Sequence, residues 1–456
     1  MKKITLLLIA IILSSCGQSQ QKVSPTATLL SNVHIVDVTN GKLIENQHIV
    51  IDSAKIQAIL TEVTNANQYQ NVIDGKNGYL IPGLAEMHAH IPPPTVSKER
   101  LEEVLFLYLS NGITTIRGML GNETHLTLRE NIANGKVLGP RVFTSSPSLN
   151  GNSVKTKAEA IAKVTAYQKA GFDFLKIHPG IQRDVFDQVV TTGNEVGIPF
   201  AGHVPVDVGI RHALESNYAS IDHIDGFLEG LVPESENVDP TTNGFFGYNF
   251  TPLADIGKID ELVSLSKEHK VWIVPTQSLF ERWFAPITAD ELLQQPEMKY
   301  MPKATLENWK QVKERYMADN SFSTAQWQQF DSIRKSLLAA LSKNGHGILL
   351  GSDAPQLFNV PGFSIHHEID GMLGAGMTQL EILQSGTTNP AIFFGMEDTF
   401  GQVKEGLVAD MVVLEANPLE NLKALKQIQG VMLKGKWISK TEIEERLAKI
   451  AENASK

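Results

Sequence analysis

Residues 82–90 read PGLAEMHAH, which sets His88 and His90 two positions apart. In an extended segment the side chains at i and i+2 project from one face, so these imidazoles point together. A neutral imidazole ligates zinc and related divalent ions, but it also packs and hydrogen-bonds in ordinary interiors. Taken alone, the pair leaves both readings open. More groups of ligand chemistry follow, each near the end of a short apolar run: Lys176 in DFLKIH, His203 in AGHV, His223 in IDHID and Asp353 in GSDAP. Four imidazoles and a carboxylate suit a zinc-like ion, provided that the fold gathers them. A metal so held acts as a Lewis acid and activates water.

The gathering has to come from strands. Eight short apolar runs are spaced through the middle of the chain: 83–87, 113–117, 141–145, 172–177, 198–204, 220–224, 271–276 and 347–353. Amphipathic segments lie between them, such as SKERLEEVLFLYLSNG (97–112) and TKAEAIAKVTAYQKAG (156–171), each closing on a helix-stopping glycine. This alternation predicts an α/β fold, a (β/α)8 TIM barrel over 81–398. In such a barrel all C-terminal strand ends share one rim, so residues distant in sequence meet there. That convergence turns His88 and His90 from a weak pair into candidate ligands. Segment 277–346 is the longest interruption, aromatic, charged and helical in period. It reads either as a helical lid over the rim or as a surface elaboration.

Both ends of the chain carry a different pattern. Period-two alternation fills 28–80 and returns in 399–440, which predicts one small β-sandwich domain built from both termini, with 441–456 as a C-terminal helix or tail. At the start, Lys2 and Lys3 precede an apolar run from Ile4 to Leu13 that is too short for a stable membrane span. Residues 1–15 are expected to be a signal peptide. The sole cysteine, Cys16, follows Leu13-Ser14-Ser15 and resembles a bacterial lipoprotein box, which implies lipidation of its thiol and 16–27 as a flexible tether. The formal charge is −10, and loss of Lys2 and Lys3 with the leader makes it −12. This balance argues against a nucleic-acid partner and against binding acidic membranes through a basic surface, leaving membrane attachment to the lipid on Cys16. The expected location is the periplasm or outer membrane.

With these motifs in place, the sequence resembles the amidohydrolase superfamily, in its imidazolonepropionase-like and prolidase-like branch. PGLAEMHAH, TTIRGM, GSDAP and the long stretch AGMTQLEILQSGTTNPAIFFGMEDTFGQVKEGLVADMVVLEANPL carry the likeness. The resemblance implies two divalent metal ions, with zinc expected. His88, His90 and Asp353 would hold one and His203 and His223 the other. Lys176, carboxylated to N6-carboxylysine, would bridge them, since an ordinary ammonium would be repelled by both ions. It further implies hydrolysis of an amide or other C–N bond of a small substrate (a dipeptide, N-acyl amino acid or cyclic amide) by a metal-bridged hydroxide, with Asp353 shuttling the proton. Without carboxylation, the alternative is a mononuclear site of His88, His90, His203 and Asp353, with His223 as acid or electrophile, as in deaminases. Lactone or ester cleavage is open to the same machinery, and a barrel without catalysis would be a surface binding lipoprotein.

Other residues have supporting roles in this reading. Glu86 stands where most of the superfamily has Asp, and shares the face of His88, so it is expected to orient a ligand. Arg117 is a candidate clamp for a substrate carboxylate, and an Arg at a barrel rim also pairs with neighbouring acids. His178 either reaches the pocket or is an ordinary loop histidine. His366 and His367 are candidates for substrate contact or for capping a helix. His34, His48, His125, His212, His269 and His346 lack any motif.

Overall fold

The computed structural model describes residues 24–319 and 322–456. The leader and Cys16 lie outside the described residues. Two seven-stranded sheets organise the chain.

The first sheet joins the two ends. It contains β1 (Thr28–Asp37), β2 (Lys42–Asp52), β3 (Lys55–Leu60) and β4 (Asn71–Pro82) from the N-terminal part. Later in the chain its counterparts are Met411–Leu414, Ile428–Leu433 and Lys436–Ser439. The seam is an antiparallel pairing of β4 with Met411–Leu414, in which Pro82 faces Met411. Alternation sends Leu30, Ile49, Ile51, Leu80, Met411 and Val413 to one buried face, the period-two signature of these stretches. The expected sandwich is one continuous sheet that curls. Its far edge meets the chain again where Ile56 N–H donates to Leu407 O at 2.9 Å and Ala409 N–H to Ala54 O at 2.9 Å.

The second sheet is parallel throughout: β5 (Leu84–Ala89), β6 (Ile113–Gly118), β7 (Arg141–Leu149), β8 (Phe174–Ile177), β9 (Phe200–Gly202), β10 (Ser220–Asp222) and β11 (Trp272–Val274). The eighth run, 347–353, is not a regular strand, yet together with Ala354 it closes the barrel. It bridges β11 at Ile273 and Ile348, and β5 at Ala89 and Ala354, both in parallel sense. Irregularity enters because Asp353 takes a left-handed backbone, φ 63°, which no strand accommodates. The fold is thus the expected (β/α)8 barrel beside a β-domain made from both termini.

Helices pack between the strands as their caps dictate. Lys157–Ala170 starts in a capping box, Thr156 with Glu159, and stops at Gly171 with φ 88°. The long interruption is helical, with Gln277–Phe284, Lys303–Met317 and Thr324–Asn344 as its main pieces. Among the described residues no helix is long and apolar enough to cross a membrane.

Candidate metal centre

Every residue of β5 is buried, and alternation puts Glu86, His88 and His90 on the side facing the barrel axis and rim. Glu86 does not touch the His88 ring. Its Oε1 accepts from His88 N–H (3.1 Å) and Ser352 N–H (2.8 Å), and its Oε2 accepts from Ser352 Oγ (2.7 Å). Burial pushes the Glu86 carboxyl up to about 8, against those hydrogen bonds. Its work is therefore to tie β5 to the closing segment, which fixes the backbone from which Asp353 projects. Its contacts run to the main chain of His88 and to Ser352, not to a histidine ring.

Beside it, three donors converge. His90 Nε2 lies 2.6 Å and His88 Nε2 3.5 Å from Asp353 Oδ1. His88, His90 and Asp353 each offer a ligand atom within 4.8 Å of the others. Asp353 Oδ1 is shielded from solvent and accepts no aligned hydrogen bond despite these neighbours. An orphaned buried oxygen costs about 1–3 kcal/mol. Ligand atoms gathered this closely fit a divalent cation, which would satisfy them all. The charge state agrees. Burial draws His88 down to about 4, against the attraction of Asp353 and Asp222, leaving a neutral imidazole with a free lone pair.

His203 and His223 continue the line of rings. The His223 centroid is 4.6 Å from that of His88 and 4.7 Å from that of His203. In both, Nδ1 is already engaged, by Asp225 Oδ2 at 3.1 Å and by Thr276 Oγ1 at 2.8 Å respectively. Such outer partners fix ring orientation and leave Nε2 for a ligand. Lys176 comes from β8, buried, with Nζ 3.4 Å from Asp222 Oδ2. Burial pulls its ammonium below the ordinary range, against the attraction of Asp222 and Asp353. All six residues line one cavity of about 950 Å³.

Arg117 is not in that cavity. Its fully buried guanidinium donates to Met87 O (2.6 Å), Ser220 Oγ (2.8 Å) and Asp222 Oδ1 (2.9 Å), beneath the histidines. Fully buried and outside the cavity wall, it does not reach a substrate carboxylate, which corrects the clamp expectation. Instead it neutralises Asp222, whose Oδ2 sits 3.2 Å from His88 Nδ1. His178 does line the cavity, stacked on His203 at 4.9 Å, with Nδ1 bound to Ser148 Oγ at 2.6 Å. His366 and His367 turn elsewhere, to Asn111 Oδ1 and Glu297 Oε1. His125, which had no motif, lies in the cavity wall.

Sequence reasoning missed the supports. Asp222 and Asp225 flank His223 in SIDHIDG, and that doubled acid was the available signal. Thr276 and Arg334 carried none. Arg334, from Thr324–Asn344, donates to His223 O (2.7 Å), Pro275 O (3.0 Å) and Gln277 Oε1 (3.1 Å), so this stretch of the interruption buttresses the rim from behind. The other wall comes from residues after β10, with Phe246 5.3 Å from His223 and 5.7 Å from His203. Left-handed backbones recur at this rim, at His223 (φ 68°), Thr276 (φ 47°) and Asp353 (φ 63°). Each costs about 1–2 kcal/mol in a non-glycine residue, and clustering of such residues is typical of functional sites.

Residues 79–438 match the model of the amidohydrolase family. The chain belongs to that family. Among curated relatives, the ochratoxinase of Aspergillus niger is 22% identical over 433 residues, spanning 86% of this chain and 82% of that protein. Among solved structures, a bottromycin amidohydrolase superposes with a TM-score of 0.72 at 18% identity, covering 94% of this chain and 91% of the other. A Xaa-Pro dipeptidase with methionine in its active site gives 0.65 at 20% identity, covering 91% and 100%. At these identities the solved structures speak for the shared amidohydrolase fold. Within it, this chain is a hydrolase with a His88, His90 and Asp353 cluster suited to a metal ion.

Proposed function

We propose that this amidohydrolase cleaves an amide or other C–N bond of a small substrate at a binuclear centre. His88, His90 and Asp353 would hold one divalent ion and His203 and His223 a second, zinc being the expected metal, with Lys176 carboxylated between them. The observation that carries the reading is the orphaned Asp353 Oδ1 among imidazole nitrogens, on the wall that also holds His203, His223 and Lys176. The names of its relatives, an amidohydrolase and a dipeptidase among them, point the same way.

Ions bound there supply Lewis acidity, polarising a carbonyl and lowering the pKa of water. The chain's own residues do the rest. Asp353 accepts the attacking water's proton on a carboxylate oxygen and passes it to the departing nitrogen. His223 is kept neutral by burial first and by nearby His88 and His203. Phe246 covers His203 and His223 and keeps bulk water from that side. Lys176, deprived of solvent, favours the neutral amine that reacts with CO₂. At the N-terminus, the leader and Cys16 support an exported chain anchored by lipid, with the −12 charge speaking against nucleic acid as a partner.

Metal analysis with a library of dipeptides, N-acyl amino acids, cyclic amides and lactones tests the reading. Two ions per chain and turnover of an amide are expected. Lys176→Ala should lose the two-ion stoichiometry and regain part of the activity with short carboxylic acids. A variant keeping both ions tightly bound refutes the bridge, and an inert, metal-free wild type refutes the enzyme.

A further inference from the structure

His178 follows β8 directly, and the two nitrogens of its ring have unequal surroundings. Nδ1 lies 2.6 Å from Ser148 Oγ, near the end of β7. Ser148 Oγ also accepts from Asn150 Nδ2 at 2.8 Å. The Asn150 amide has one possible orientation, because its Oδ1 accepts the main-chain N–H groups of Asn152 (2.9 Å) and Ser153 (3.0 Å). With that amide donating to it, the Ser148 hydroxyl has a single acceptor for its own proton among the described residues, His178 Nδ1. The hydroxyl therefore donates to Nδ1, and the ring carries its hydrogen on Nε2.

The frame around this relay is stiff. His178 N–H donates to Leu149 O at 2.8 Å, which ties the two strand ends together. Just beyond, a Cβ on Gly151 would sit 2.2 Å from Gly180 O, so the loops after β7 and β8 pack main chain on main chain. The ring itself stacks on His203, its plane 24° from that ring. His178 is only partly buried, and among the described residues nothing bonds to its Nε2, which stays open to the cavity. Lys176 is the one lysine or arginine among the described residues lining that cavity, and its Nζ is turned to Asp222. An oxygen that gains negative charge here is served by a neutral N–H, and a donor already oriented costs no reorganisation.

We infer that His178 touches the substrate: its Nε2–H donates to the oxygen of the scissile carbonyl as negative charge builds on it, in a tautomer held by Asn150 and Ser148. As a statement about the carbonyl this rests on the hydrolase reading of the same cavity; as a statement about an oxyanion donor it does not. A histidine of purely structural use would serve through its stacking on His203.

Two variants, compared at equal metal content, separate those roles. His178→Phe keeps a ring to stack and loses the N–H, whereas His178→Gln loses the ring and keeps an amide N–H near the position of Nε2. For the amide cleaved best in the library above, kcat should fall about a hundredfold or more in His178→Phe with KM little changed, and His178→Gln should recover part of the loss. A structural ring gives the reverse order, with the Phe variant above the Gln variant, and overturns the assignment. Inorganic phosphate, a tetrahedral oxyanion, is the probe that needs no turnover. In calorimetric titration of the metal-loaded protein it should bind about ten- to a hundredfold more weakly to His178→Phe than to wild type, with His178→Gln between. Nitrogen-15 NMR of histidine-labelled, zinc-loaded wild type should show the His178 hydrogen on Nε2, its signals assigned by their absence from His178→Phe. A hydrogen on Nδ1, which would free Nε2 to ligate a metal ion, overturns the assignment. Amide cleavage with equal kcat and equal phosphate affinity in wild type and His178→Phe overturns the donor and leaves the hydrolase. The expected ranking of phosphate affinities in a protein that cleaves no amide leaves the donor and overturns the hydrolase.

Discussion

Arg334 is the residue whose loss should report most directly on how the proposed second metal position, at His203 and His223, is held. It is 3% exposed, its guanidinium sits 3.5 Å from the Phe280 ring centroid, and it bonds the carbonyls of His223 and Pro275. Those carbonyls bracket the strained points of the rim, since His223 has φ 68° and Thr276 follows Pro275 with φ 47°. Arg334→Met leaves both carbonyls without their donor, at about 1–3 kcal/mol each, and removes a desolvated cation–π contact worth about 2 kcal/mol. Relief from burying a guanidinium offsets part of this, leaving a net loss of about 3–5 kcal/mol. The first consequence is local. Without the clamp, His223 relaxes toward an ordinary backbone and its ring leaves the line it shares with His203. Loss of such outer support typically weakens metal affinity about 10–100-fold. Chelator competition, read as affinity for each of the two proposed ions, is the assay: the His203 and His223 position should fall by that factor and the site of His88, His90 and Asp353 should change little. A folded variant, by circular dichroism, that binds both ions with wild-type affinity refutes the reasoning.

Two further outcomes follow from the same geometry. Glu86 titrates near 8 in the folded state against 4.5 ordinarily, so the folded chain binds the extra proton. Its stabilisation is complete below about pH 4.5 and is lost as pH rises through about 8, a slope of up to ~1.4 kcal/mol per pH unit between. Denaturant unfolding of chelator-treated protein should show that slope, and Glu86→Gln should flatten it; an unchanged profile contradicts the assignment. Arg117→Met should lower stability by about 3–5 kcal/mol by stripping buried Asp222 of its partner. Because the guanidinium lies under the histidines, kcat/KM for anionic and neutral substrates should fall by a common factor, and a loss confined to anionic substrates would restore the clamp.

How far the chain could be read before folding depended on whether a residue's role was local. His88 and His90 declare themselves because a strand repeats every two residues, and the barrel was legible from runs that alternate with capped helices. Lys176, His203, His223 and Asp353 stood out because strand ends share a rim. Arg117 misled because its position marks the rim, whereas the fate of a long side chain is set by Asp222, which is remote in sequence. Thr276 and Arg334 act through bonds that no local pattern announces. The closing segment, read as a strand, gives up regular pairing where Asp353 needs its unusual backbone.

The seam between β4 and its partner strand has a consequence for how this molecule comes into being. Pro82 waits for Met411, roughly 330 residues later, so the small sheet is among the most non-local pairings the chain makes and belongs to the slow end of contact order. β4 runs on into β5 across Gly83 alone, so the barrel's first strand begins beside an edge that stays open until nearly all of the polypeptide has been delivered. During synthesis the exposed backbone of β4 is an invitation to mispair. Truncation before residue 411 should therefore yield not a smaller enzyme but a chain with an unsealed first strand, prone to associate with its own copies.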